Sequence, residues 1–179
     1  RAGIAIYSPH TALDAALGAD ASSTATEQAG LALFALGEGR DDVAVEAISR
    51  ALELAPDDAA LHYHAGGVFR YARYLPESES KNRAQREFER ALELDPDFVP
   101  AYERIARYLE TDDQFAAAAA KVEEALARQP SFLPGLLRLE ATYREAGWEA
   151  LRLETLDRIE VMAPASLLPY TARAQRFAT

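Results

Sequence analysis

The stretch Ala91-Leu-Glu-Leu-Asp-Pro96 nearly repeats the earlier stretch Ala51-Leu-Glu-Leu-Ala-Pro56, and two looser copies follow at residues 125–130 and 159–164. The prolines that close these four copies are 40, 34 and 34 residues apart: Pro56, Pro96, Pro130 and Pro164. Self-similarity at such a period indicates stacked supersecondary units, each too thin to bury its own apolar face. The sequence therefore predicts a repeat array and a binding scaffold, rather than one globular core around a catalytic pocket.

The composition is that of a folded, acidic chain. The 179 residues are 49% hydrophobic and 27% charged, which is enough to bury a sizeable core. The formal net charge of -10 argues against nucleic acid as a partner. No run approaches the roughly 18 apolar residues of a membrane span, and the absence of cysteine excludes disulfides and thiolate metal sites. Because the chain begins with Arg, we expect a fragment or a processed product. The sequence leaves the compartment unknown, with the cytoplasm favoured.

Apolar residues recur at helical spacing, and prolines, glycines and acidic pairs mark the ends of each run. The pattern predicts paired helices at about residues 22–36, 41–55, 58–75, 83–94, 99–109, 115–127, 133–146 and 149–162, with a last helix at 166–177. The stretch 76–80 is polar and turn-prone, so it is predicted to be an insertion between the two helices of one unit. That insertion accounts for the longer first spacing.

The predicted pairs resemble tetratricopeptide repeats (TPR), whose 34-residue unit is a helix, a turn and a helix. The large and small residues of the family signature fall, in the third unit, on Tyr102, Ile105, Ala106, Leu109, Ala118, Val122, Ala125 and Pro130. The second unit matches at Gly66, Phe69, Ala84, Phe88, Ala91 and Pro96, with the large aromatic residues expected to fill space between units. The fourth unit departs from the signature, because Glu140, Arg152 and Ile159 stand where the family prefers small residues, which puts tight packing there in doubt.

The resemblance covers about residues 24–164 and implies an all-α fold, a right-handed α-solenoid of antiparallel helix pairs. We expect an N-terminal extension at residues 1–21, a repeat array at 22–164 and a capping helix at 165–179. The units within the array are expected at about residues 25–56, 59–96, 99–130 and 133–164.

In this family the first helices of successive units line a concave groove that binds a peptide or a helix of another protein. Arginines, one histidine and two tyrosines cluster on the corresponding predicted helices here, and they suit an acidic peptide or protein segment, because Arg engages carboxylates bidentately and Tyr supplies rigid contact area. The predicted groove residues are Tyr63, His64, Arg70, Tyr71, Arg104, Arg107, Arg138 and Arg144. The alternative is that these arginines are ordinary helix charges that pair with nearby Glu103, Glu110, Glu140 and Glu145.

Residues 3–16 resemble a local segment of the dinuclear-metal-centre hexameric family (type 2 GTP cyclohydrolase I-like), in which the aspartate corresponding to Asp14 is a metal ligand. The other histidine and carboxylate ligands of that family do not appear in this chain, so a complete site is not expected. The alternative is structural: Thr11 caps a short helix at residues 12–17.

No other pattern predicts a metal, a cofactor or catalysis. His62 and His64 are two residues apart on a predicted helix, so they point to different faces and make a poor metal pair. Neither a Gly-x-Ser-x-Gly elbow nor a phosphate-binding Gly-x-x-x-x-Gly-Lys loop is present. We therefore predict a non-catalytic protein-binding scaffold. The second hypothesis is an accessory module or fragment associated with a metal-dependent hydrolase-like enzyme.

Overall fold

The computed structural model describes residues 24–175, with side chains as far as residue 172. Within that range the chain forms nine helices and no strand. Contacts divide it into two compact units, one ending at Asp95 and the other beginning at Pro96. The prediction of an all-α fold built of helix pairs is confirmed, while the predicted extension at residues 1–21, with Asp14, lies outside the described residues.

The first unit contains four helices: α1 (Ala25–Gly37), α2 (Asp41–Leu54), α3 (Ala59–Tyr71) and α4 (Glu77–Leu94). Helix α3 packs on the other three, and α1 also packs on α2. Thr24 begins α1 with a capping box, because its hydroxyl accepts from the Glu27 amide at 3.2 Å and its own amide donates to the Glu27 carboxylate at 2.8 Å. Asp58 caps α3 by accepting from the Leu61 amide at 3.0 Å.

Helix α4 begins six residues earlier than the sequence pattern predicts. Residues 77–80, expected to be a turn, form its first turn, so the insertion lengthens the helix. Glu77 and Glu79 place negative charge where the helix dipole favours it. Buried Ser80 donates its hydroxyl hydrogen to the carbonyl oxygen of Phe69 at 2.8 Å, at the end of α3. The charges of Glu77 and Glu79 and the contact of Ser80 with α3 stabilise helical backbone in a stretch whose composition alone favours a loop.

Close packing of α3 on α4 depends on Gly66. A Cβ atom at this position would lie 2.6–2.7 Å from three ring carbons of Phe88, which is only 2% exposed. The Phe88 ring also contacts the Tyr63 ring, with centroids 5.6 Å apart. Phe88 therefore fills space inside the α3–α4 pair, whereas the sequence reasoning assigned it to the space between units.

The second unit contains five helices: α5 (Val99–Thr111), α6 (Phe115–Arg128), α7 (Leu133–Glu145), α8 (Glu149–Met162) and α9 (Leu168–Gln175). Consecutive helices pack on each other, and α5 also packs on α7. The buried cluster between them consists of small residues from α5 and α6 and larger aliphatic residues from α7 and α8, including Ala106, Ala118, Val122, Leu136, Leu139, Leu156 and Ile159. The small residues allow close helix approach, and the larger ones fill the interior.

Three interhelical turns share one geometry. The second residue after α1, α5 and α7 has a positive φ: 72° at Gly39, 57° at Asp113 and 72° at Gly147. The following amide donates to the carbonyl five residues earlier in each case, as in a Schellman cap. Asp113 is the residue among these three that carries a side chain in the left-handed region, where a Cβ atom is unfavourable.

The first signature position holds a ring that contacts the carbonyl oxygen of a proline in both α3 and α5, although the ring is His62 in one helix and Tyr102 in the other. His62 is buried, and its Nε2 lies 2.8 Å from the carbonyl oxygen of Pro56. Tyr102, at the equivalent place in the next repeat, donates its hydroxyl hydrogen to the carbonyl oxygen of Pro96 at 3.0 Å. The Nδ1 atom of His62 lies 2.6 Å from the Glu87 carboxylate on α4. Each ring thus ties a first helix to the proline that closes the preceding repeat.

The departure from the signature in α7 and α8 is a buried ion pair. Glu140 is 2% exposed, and its carboxylate accepts from Nε of Arg152 at 2.8 Å. This hydrogen bond is the main cause that raises the pKa of Arg152 above its ordinary value. The two residues occupy the places where Gly66 and Ala84 stand in α3 and α4. A charged pair therefore stands where the other repeat has two small residues. The two large side chains contact each other through the hydrogen bond between Arg152 and Glu140.

Candidate functional site

Helix α3 places four of the predicted groove residues along one face. Tyr63 and Arg70 are seven residues apart, as are His64 and Tyr71, so the four side chains form one stripe over two turns. Its opposite face is buried through Leu61, Ala65, Val68 and Phe69. The burial of these apolar residues fixes which face of α3 remains available to a ligand.

The α3 stripe combines one fixed ring with three exposed side chains. Tyr63 is half-buried against Phe88 and contacts the His64 ring edge-on, with centroids 5.7 Å apart and an interplanar angle of 67°. His64 and Arg70 are exposed, and Tyr71 is 55% exposed. The Arg70 guanidinium makes no ion pair with any residue between 24 and 172. Its donors are therefore available to a ligand.

The loop after α3 continues the same chemistry. Tyr74 is 54% exposed, and the side chain of Arg73 is 83% exposed. The backbone amide of Arg73 donates to the Asp41 carboxylate at 2.8 Å, which ties the loop to the start of α2. The Arg73 guanidinium lies 3.8 Å from the same carboxylate. The loop thus presents phenol and guanidinium groups on a backbone that is held in place.

Helix α5 carries Arg104 and Arg107 in a different setting. Arg104 is partly exposed, and its Nε lies 3.8 Å from the Glu103 carboxylate. Arg107 is exposed and forms no ion pair among the residues whose side chains are described. Both lie on a helix that also bears Glu103 and Glu110, so α5 carries two positive and two negative side chains.

Arg138 on α7 is held by two carboxylates of α5. Its Nη2 lies 2.9 Å from Glu103, and its Nη1 lies 3.2 Å from Glu110. The Thr142 hydroxyl donates to the other oxygen of the Glu110 carboxylate. The Arg138 side chain is only 22% exposed. The structure therefore joins Arg138 to acidic residues of its own chain, as the alternative interpretation of the sequence expects.

Arg144, the last predicted groove residue, is paired within its own helix. Its Nη1 lies 3.2 Å from the buried Glu140 carboxylate, one turn earlier in α7. Half of the Arg144 side chain remains exposed. The predicted groove residues thus differ in availability: among the side chains of residues 24–172, the guanidinium groups of Arg70 and Arg107 have no ion-pair partner, while Arg138 and Arg144 have internal partners.

The polar face of α4 forms an open surface depression that the sequence pattern does not predict. Its lining alternates carboxylate, amide, hydroxyl and guanidinium groups: Ser78, Glu79, Asn82, Gln85, Arg86 and Glu89. The corresponding sequence signal is the polar stretch 76–80. The pattern predicts a turn there, whereas residues 77–80 form the first turn of α4. Arg86 is exposed and has no ion-pair partner among the described side chains.

No group of three or more His, Asp or Glu residues within the described range could hold a metal ion. None of the helices there is long and apolar enough to cross a membrane. The predicted resemblance of residues 3–16 to a dinuclear metal family receives no support from comparison with known proteins. No family model matches the chain, and no curated protein matches it.

Solved structures do match the chain along most of its length. A thermophilic TPR protein from Thermus thermophilus is 16% identical with a TM-score of 0.70, and the match covers 94% of this chain and 89% of that one. The C-terminal part of a TPR repeat-containing protein from Cytophaga hutchinsonii is 14% identical with a TM-score of 0.76, covering 93% and 64%. The first TPR of Spaghetti (RPAP3), bound to the HSP90 peptide SRMEEVD, is 14% identical with a TM-score of 0.58, covering 69% and 94%. The fold of this chain is that of tetratricopeptide-repeat proteins, an α-solenoid of helix pairs.

Proposed function

We propose that this chain is a non-catalytic protein-interaction scaffold that binds an acidic peptide or protein segment through the first helices of its repeats. The observation that carries the proposal is the exposed stripe on α3. Guanidinium, imidazole and phenol groups lie on one face there, and no acidic residue occurs from Ala59 to Leu75. In a chain with a net charge of -10, such a segment is a local exception to the acidic surface.

The chemistry of the stripe favours carboxylates over other ligands. A guanidinium group donates two parallel hydrogen bonds to a carboxylate, which gives both orientation and affinity. Exposed tyrosines such as Tyr71 provide contact area at a small entropic penalty, because the ring has few rotatable bonds. A ligand with several carboxylates and one apolar side chain would use both kinds of group.

A protein of the same fold supports this class of partner. The first TPR of Spaghetti (RPAP3) is bound to the HSP90 peptide SRMEEVD, and three of the seven residues in that peptide are acidic. The fold is therefore compatible with a short acidic segment as ligand. The residues that would bind such a segment in this chain are proposed from its own side chains.

A direct binding measurement tests the proposal. A fluorescein-labelled oligoglutamate peptide with a central tryptophan would be titrated with the full chain and followed by fluorescence anisotropy. The matched control is the same peptide with every glutamate replaced by glutamine. We expect saturable binding of the glutamate peptide and at least about tenfold weaker binding of the glutamine peptide, since each charge-assisted hydrogen bond contributes about 1.5–3 kcal/mol. Equal affinity for the two peptides would refute an acidic partner.

A further inference from the structure

The predicted groove arginines differ in how their charge is balanced, and Arg138 is the most fully neutralised. Its guanidinium donates to Glu103 and Glu110 at 2.9–3.2 Å. Glu103 also has Arg104 nearby, with the Arg104 Nε 3.8 Å from its carboxylate. An incoming carboxylate would have to displace one of two carboxylates that are already positioned against Arg138. Arg138 is therefore bound to the protein's own acidic groups and stabilises the packing of α5 on α7.

The charge of Arg107 is offset along its own helix. Arg107 follows Glu103 by four residues and precedes Glu110 by three, so both carboxylates lie on neighbouring turns of the same face. Its guanidinium is exposed and unpaired among the described residues, yet a ligand carboxylate approaching it would come near the two carboxylates that already hold Arg138. Exposure alone thus does not make α5 attractive to an acidic segment.

The end of α3 has no acidic residue on its own helix or in the loop that follows it. The exposed Arg70 has no acidic residue within eleven positions before it or six positions after it, because the segment from Ala59 to Leu75 is free of Asp and Glu and Pro76 follows. Arg73 and Tyr74 extend the positive and aromatic surface into the loop. The carboxylate of Asp41 lies near this loop, where it is mostly buried and accepts from the Arg73 amide. The first turn of α4, directly after the loop, carries Glu77 and Glu79.

The same end of α3 is held in position before any ligand binds. The hydroxyl of Ser80 donates to the carbonyl oxygens of Phe69 at 2.8 Å and Arg70 at 3.3 Å, and the Leu75 amide donates to the Ala72 carbonyl at 3.2 Å. A surface that is ordered in advance loses less conformational entropy on binding.

From this charge distribution we infer that the end of α3, with Arg70, Tyr71, Arg73 and Tyr74, is the carboxylate-recognition surface, and that Arg138 has a structural role. The ligand class is a linear segment with clustered carboxylates and an adjacent apolar or aromatic side chain. This inference rests on the proposed function and narrows it to one helix and its loop.

Four variants measured with the oligoglutamate peptide test the inference. Arg70→Glu should weaken binding at least about tenfold, because it replaces an attractive charge with a repulsive one. Arg86→Glu changes the net charge equally on the polar face of α4 and should change affinity less than about twofold. Arg107→Glu places the same change on α5, and Arg138→Gln removes the neutralised guanidinium. Both should also leave the affinity within about twofold of wild type, while Arg138→Gln lowers the melting temperature.

The outcomes separate this inference from the proposed function. Equal weakening by Arg70→Glu and Arg86→Glu would show a non-specific charge effect and overturn the inference. So would a tenfold loss in Arg107→Glu, a variant whose exposed side chain needs no repacking, or in folded Arg138→Gln. A tenfold loss in Arg107→Glu or in folded Arg138→Gln would still be consistent with acidic-peptide binding. It would assign that binding to α5 and α7. A wild-type chain that does not distinguish the glutamate from the glutamine peptide would overturn the proposed function itself.

Discussion

Replacement of Gly66 by alanine tests the packing of α3 on α4. The new Cβ atom would lie 2.6 Å from Cε1 of Phe88 and 2.7 Å from both Cδ1 and Cζ. Favourable carbon–carbon contacts are about 3.5–4.0 Å, so the overlap is about 1 Å with three atoms at once. Phe88 is 2% exposed and already contacts Tyr63, so its ring has little room to move.

The expected magnitude follows from two opposing effects. Overpacking a buried site destabilises by about 1–3 kcal/mol, while alanine is favoured over glycine in a helix by about 0.5–1 kcal/mol. Because the clash involves three atoms of a buried ring, we take the upper end of the overpacking cost, about 3 kcal/mol, and expect a net loss of about 2 kcal/mol in the free energy of unfolding. The neighbour Gly67 is a matched control, since a Cβ atom there meets nothing within 4 Å. Gly67→Ala should stabilise the chain by about 0.5–1 kcal/mol.

Urea and thermal denaturation followed by circular dichroism would measure both variants. A difference of about 3 kcal/mol corresponds to roughly 6–12 °C between their melting temperatures for a chain of this size. Phe88→Leu in the Gly66→Ala background should recover part of the loss, because the smaller side chain relieves the overlap. Gly66→Ala with stability equal to Gly67→Ala would refute the packing argument.

Three further changes have defined outcomes. Asp113→Gly should raise the free energy of unfolding by about 0.5–1 kcal/mol, because it relieves a φ of 57° on a residue with a side chain; a lower urea midpoint would contradict this. Arg152→Gln should lower the free energy of unfolding by about 3 kcal/mol, the lower end for a broken buried ion pair, since Glu140 loses Arg152 but keeps Arg144; a double-mutant cycle with Glu140→Gln that gives no coupling energy would contradict the pair. Burial, and next the charge of Glu123, raise the pKa of Tyr143 above 10.0. The unfolded chain therefore loses this proton first, and the native state loses stability as the pH rises from 10.0 towards the higher native value. Tyr143→Phe should make the decline in stability above pH 10 less steep, and an unchanged slope in alkaline denaturation would refute this.

Most of the helix bounds were predictable from the sequence, because prolines, glycines and capping residues act locally. Pro56, Pro96 and Pro130 each lie two residues after the last residue of a helix, and the small residues of the signature mark the close contacts. Such signals depend on neighbours within one or two turns, which the sequence shows directly. The predicted start of α4 was wrong because the contact that decides it is not local in sequence. Its first turn depends on the contact of Ser80 with the end of α3, which is a tertiary contact between residues ten or eleven positions apart.

The availability of each arginine could not be predicted from its position in the repeat. Alignment of the units places His64, Arg104 and Arg138 at one equivalent position, which suggests one shared role. The structure gives them different surroundings, because the residues one turn away and on the packed helix differ between repeats. Arg138 meets Glu103 and Glu110 across 35 and 28 positions of sequence, whereas the end of α3 meets no exposed acidic group of its own segment. Equivalent backbone positions therefore carry unequal electrostatic potential, and in such an array the choice of ligand depends on which charges the protein leaves unneutralised.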